Sequence, residues 1–164
     1  VLLEVRKEMS PWIDLQLVAF PQDGYLRYKN SVTNLNRALD MGVDVVGGIP
    51  HFERTMSDGT ASVKALCELA AERGLMVDMH CDESDDPLSR HVETLAYETQ
   101  RLGLQGRVTG SHLTSMHSMD NYYVSKLNVT DGRSKAQCSS QSSDQYYPAR
   151  PSRQLSETTW YDAG

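Results

Sequence analysis

Over residues 1–127, short apolar runs rich in Val, Ile and Leu alternate with amphipathic helical runs. That alternation is the most constraining feature of the chain, because repeated βα units close only on a parallel sheet. The expected strands are 14–20, 43–49, 75–80 and 107–111, each short and apolar enough to be buried on both faces.

The helices between them carry their own punctuation. Residues 31–41 offer Ser31 as an N-cap, Leu35, Ala38 and Leu39 on one face, and Gly42 just past the end. Val63, Leu66, Cys67 and Ala70 follow helical spacing and stop before Gly74. Residues 88–102 repeat the pattern through Val92, Leu95, Ala96 and Thr99, with Gly103 behind them. Successive βα repeats of this kind suit an open doubly wound sheet or part of a (β/α)8 barrel.

Composition narrows the function. A net charge of -6 with no dense Lys/Arg cluster excludes a nucleic-acid backbone as partner. Apolar stretches such as 15–20 and 43–49 are far shorter than the roughly 18 residues of a membrane span, and no signal peptide opens the chain, so a cytoplasmic address is expected. The 3 cysteines share no CxxC spacing, which points to reduced thiols rather than a disulfide framework or zinc knuckle.

In parallel α/β proteins the catalytic face lies at the carboxyl ends of the strands. The first expected strand ends in Phe20-Pro21-Gln22-Asp23-Gly24, the second in Pro50-His51, the third in His80-Cys81-Asp82-Glu83 and the fourth in Ser111-His112. His80 and Glu83 form an H-x-x-E pair that could supply an imidazole metal ligand and a carboxylate for proton transfer. His112, at the end of the next strand, would converge on the same place. For the remaining groups a structural reading is preferred: His51 capping a strand end, His117 in a hydrogen-bonded loop, His91 on a helix surface, and Asp82, Asp85 and Asp86 in a solvated run near a helix start.

Taken together, the stretches PWIDLQLVAFPQDG (11–24), DVVGGIPHFE (44–53), VDMHCDE (77–83) and RVTGSHLTSMHS (107–118) resemble bacterial cytosine deaminases of the amidohydrolase superfamily, in the same order and with similar spacing. The resemblance implies an incomplete (β/α)8 barrel, a TIM-like α/β fold with about four βα units. It also implies a mononuclear iron or zinc centre that hydrolyses cytosine to uracil and ammonia in pyrimidine salvage. By this resemblance His80 is a metal ligand, Glu83 the proton shuttle, His112 the residue that holds and polarises the attacking hydroxide, and Gln22 the amide that reads the pyrimidine edge. The parent enzyme is expected to be a homo-oligomer. The family's H-x-H ligand pair is expected upstream of Val1 and its aspartate ligand beyond the chain's end. The chain alone is therefore expected to be inactive.

From Asn128 the sequence becomes polar and Ser/Gln-rich, the composition of a disordered tail over 128–164. A second reading follows from the genetic code. Codons permitted for this segment, read from the second nucleotide, spell a string resembling the next strand, loop and helix of cytosine deaminases. Trp160 has a single codon, so the shifted codon must begin GG and encode glycine, as that string requires. Residues after about Leu127 are accordingly expected to be out of frame, with 1–127 as the partial barrel domain. Two further functions stay open at this point: a non-catalytic barrel fragment that at most associates with a partner subunit, and a small α/β protein of unrelated function.

Overall fold

Why the alternating pattern folds as it does is clearest in the longest helix. The structure, a computed structural model, describes residues 1–134 and 137–139, with side chains for residues 1–127. The expected helix around Leu66 runs as α3 (Met56–Arg73), numbered after α1 (Leu2–Met9) and α2 (Ser31–Asp40). Thr55 caps its start, its side chain accepting from the Asp58 N–H at 3.0 Å, and Gly74 ends it in the left-handed region at φ 69°. The later helices are α4 (His91–Arg101) and α5 (Asn121–Ser134).

Among the described residues, five strands form one parallel sheet: β1 (Val18–Ala19), β2 (Val45–Gly48), β3 (Met76–Cys81), β4 (Val108–His112) and β5 (Gln137–Ser139). Their spatial order is β1-β2-β3-β4-β5, each strand beside its predecessor. A doubly wound sheet reverses its order at a switch point, whereas a barrel never does. The fold is therefore α/β of the (β/α)8 type, and the described strands form an arc of such a barrel.

The sheet has two unlike faces. Val46, Val77, Met79, Cys81 and Val108 bury against Leu35, Leu39, Val63, Leu66, Ala70 and Leu95 of α2, α3 and α4 to make the core. The opposite face of β3 and β4 carries Asp78, His80, Thr109 and Ser111, all half-buried and paired in register as Asp78↔Thr109 and His80↔Ser111. The sequence expectation of strands apolar on both faces thus holds for β2, which is buried throughout, but not for β3 and β4. Their second face is the polar one that reaches the candidate site.

Other differences have local causes. Of residues 14–20 only Val18 and Ala19 form β1; just before them the Leu17 N–H is taken by the Asp44 carboxylate at 2.8 Å. The same carboxylate pairs with Arg6 of α1, a helix with no buried residue and no strong sequence signal. The change of character expected at Asn128 falls inside α5, and Gln137–Ser139 pairs with β4. The rest of 128–164, and with it the expectation of an out-of-frame, disordered tail, lies outside the described residues.

Candidate active site

Strand periodicity places His80 where it can act. Val77, Met79 and Cys81 point under the helices, so Asp78 and His80 point to the other face. The His80 ring packs against Phe20, just past β1, with centroids 4.6 Å apart, and against His112 at the same separation, edge to face. His80 Nδ1 and His112 Nε2 are 3.2 Å apart, a hydrogen bond whose donor depends on the tautomer. Burial, aided by His112 and opposed by Asp78 and Glu83, holds the His80 pKa below its ordinary value.

His112 reaches this contact against its register. It stands opposite Cys81, whose side chain is in the core. The extended backbone breaks there, with φ 72° at His112 and 52° at Leu113, a conformation that non-glycine residues adopt rarely and mostly where surroundings enforce it. Glu83, beyond the end of β3, completes a line: its Oε1 lies 3.6 Å from His112 Nδ1, within ion-pair range. The carboxylate remains half-exposed, open to a ligand. The structure thus brings together His80, Glu83 and His112. Gln22 lies at the same end of the sheet, exposed and two residues past Phe20, but it has no hydrogen bond to the other three.

Phe20, an apolar residue, carries no chemical signal in the sequence that would mark it as part of the site. Asp82 and His91 differ more: expected in a solvated loop and on a helix surface, they are 0% and 1% exposed. The Asp82 carboxylate accepts from Ser89 Oγ at 2.8 Å, His91 N at 3.0 Å and Val92 N at 2.9 Å, and faces His91 Nδ1 at 2.8 Å. Burial alone would raise its pKa, but the hydrogen bonds from His91, Val92 and Ser89 outweigh it and hold the carboxyl below its usual range. His51 follows β2 in a 3-10 turn (Pro50–Phe52), with both ring nitrogens buried and unpartnered and its pKa lowered, chiefly by burial. Cys67 and Cys81 are buried, and the Cys138 side chain lies outside the described ones.

The resemblance to cytosine deaminases implies a divalent metal. His80 fits as one imidazole ligand, since its contact with His112 uses Nδ1 and leaves Nε2 to face a metal. A catalytic centre needs about three protein ligands, and among the described residues no three His, Cys, Asp or Glu converge to hold one. Among the described residues, His80 could supply one coordination position.

Comparison with known proteins agrees with the geometry. The chain superposes on 5-methylcytosine deaminase from Klebsiella pneumoniae, solved with phosphonocytosine, at a TM-score of 0.82 and 48% identity, covering 84% of this chain and 33% of that one. It is 33% identical over 111 residues to N-isopropylammelide isopropyl amidohydrolase of Pseudomonas sp. strain ADP, covering 68% of this chain and 27% of the relative. It is 30% identical over 121 residues to a pterin deaminase of Rhizobium rhizogenes, covering 73% of this chain and 27% of the relative. The chain therefore spans about a third or less of the length of these relatives. No helix among the described residues is long and apolar enough to cross a membrane. The sequence profile of the Amidohydrolase family matches residues 1–152, and with that span matched and the barrel order of the strands standing independently of it, the chain belongs to the amidohydrolase family.

Proposed function

We propose that these strands carry part of the active site of a hydrolytic deaminase acting on an amino-substituted pyrimidine such as cytosine, releasing uracil and ammonia in cytoplasmic pyrimidine salvage. The observation that carries this reading is the line Glu83–His112–His80 at two adjacent strand ends, with 3.6 Å and 3.2 Å separations. The cytosine analogues bound to the similar Klebsiella pneumoniae enzyme favour a pyrimidine over other rings.

In this reading each side chain has a distinct task. Glu83 takes one proton from the attacking water and gives it to the ring nitrogen as the hydroxyl adds to the ring carbon, then moves the proton of that added hydroxyl to the amine as the C–N bond breaks, which its open position beside His112 allows. His112 hydrogen-bonds and orients that water. Gln22 offers an amide donor and acceptor together, matching the mixed edge of cytosine. His80 is one ligand of an iron or zinc ion in the whole enzyme, a homo-oligomer. When bound, such a metal lowers the pKa of water towards ~7.

A second reading is favoured by one observation. The polar face of β3 and β4 is only half-buried, and Leu2, Trp12 and Ile13 stand exposed, as in a barrel segment that associates with further strands and does no chemistry alone. Metal analysis and ammonia release separate the two readings, using the purified chain with cytosine, 5-methylcytosine, N-isopropylammelide and pterin. Stoichiometric metal and turnover of the pyrimidines, abolished in Glu83→Gln, supports the deaminase. Neither metal nor turnover, with self-association in solution, supports the segment.

A further inference from the structure

Asp82 lies between His80 and Glu83, yet its carboxylate turns away from both. It is fully buried, and its oxygens satisfy the first N–H groups of α4, His91 and Val92, together with Ser89 Oγ. Helix α4 has no side-chain cap from its own N-cap residue, Arg90, so the strand end supplies what the helix lacks. The His91 ring, also bonded to Asp82, seats against Gly59 in the first turns of α3, where a Cβ would collide with its Nε2.

The backbone of Asp82 faces the other way. Its carbonyl accepts from Ser115 N at 3.1 Å and Thr114 Oγ1 at 3.2 Å, in the segment that directly follows His112. Strand alternation would send the side chain of residue 82 to the same face as His80; φ 56° sends it into α4. The next residue, Glu83, thereby emerges beside His112. The segments of left-handed backbone at the two strand ends, Asp82 on one and His112 and Leu113 on the other, are joined at the Asp82 carbonyl, with the Leu113 N–H to Cys81 O at 3.0 Å and Thr114 Oγ1 to Ser84 O at 3.1 Å on either side of it.

We propose that Asp82 is a positioning residue. Anchored by the start of α4, it holds the loop after His80 to the loop after His112 and so sets Glu83 and His112 in register. It touches neither substrate nor metal, and the inference rests on the reading of Glu83 and His112 as the proton-transfer pair. A residue that merely caps α4 would cost stability and leave the two rings in contact.

Three measurements on the chain separate these roles, made on Asp82→Asn, which tolerates the left-handed backbone but presents an amide donor to Val92 N–H. The expected result is loss of the His80–His112 ring NOE and about tenfold faster exchange at the Ser115 amide, with the Val77 amide, bonded to Arg107, unchanged. In ammonia release from cytosine, kcat should fall about 100-fold with KM little altered, the scale expected for a small misplacement of reacting groups. Leu95→Ala, a core truncation in α4, serves as the control for lost stability alone. A retained ring NOE and a protected Ser115 amide would overturn the proposal, as would an equal kcat loss in Leu95→Ala. If Asp82→Asn does not fold, Ser89→Ala removes one anchor of the carboxylate and is read in the same way. Should the unsubstituted chain release no ammonia, the deaminase reading fails on its own, while the NOE and the exchange still decide the role of Asp82.

Discussion

The ring of His112 meets that of His80 edge to face, Nε2 to Nδ1 at 3.2 Å, although strand alternation assigns the two residues to opposite faces of the sheet. A single proton lies between the two nitrogens, so their tautomers and charges are linked. Two positively charged imidazoles at this distance would repel, and His112 is one of the groups that lowers the His80 pKa.

Removing that neighbour should therefore be visible at His80. In His112→Ala the His80 pKa is expected to rise towards its ordinary 6.5, read by NMR titration of the imidazole Cε1 proton. An unchanged midpoint would mean that burial alone sets it.

Glu83→Gln keeps the size and polarity of the side chain but cannot carry a proton. In the deaminase reading it should lower kcat by about 10²- to 10⁴-fold and leave KM nearly unchanged. A parallel rise in KM instead would indicate that Glu83 binds the substrate rather than moving its proton.

Gly59→Ala tests the packing behind the site. The added methyl would run into His91 Nε2 and the Pro50 carbonyl oxygen, and His91 is pinned to Asp82 and cannot retreat. Overpacking of this kind costs about 1–3 kcal/mol, measurable as a lower urea midpoint.

Acid should unfold the chain in two stages. His51, with its pKa lowered by burial, is neutral when folded, so the unfolded chain binds more protons below its ordinary 6.5. Stability from this group is full above 6.5 and is lost as pH falls through the lower folded value. Asp82, also lowered, contributes stability above its ordinary 3.8 that is lost as pH falls through its folded value. Urea midpoints across pH 3 to 8 should show both stages; His80, whose pKa is likewise lowered, contributes to the first, so His51→Gln should shrink that stage.

Cys67 should be chemically silent in the native state. Burial, with Glu98 adding to it and Arg101 opposing, pushes its thiol up to about 12, so almost no thiolate exists at neutral pH. Peptide mapping after alkylation should find Cys67 modified only in denatured protein.

The sequence by itself determined the βα repeat, the caps at Gly74 and Gly103, and the strand ends bearing His80, Glu83 and His112, because periodicity and capping depend on neighbours within a few residues. The repeat alone fits a doubly wound sheet as well as a barrel; the resemblance implied the barrel, and the order β1-β2-β3-β4-β5 bears it out. The direction of the His112 ring and the burial of Asp82 and His91 were decided only by tertiary structure. Each depends on a backbone turned to positive φ, and on hydrogen bonds spanning up to 33 positions, which the alternation of a strand read residue by residue does not register.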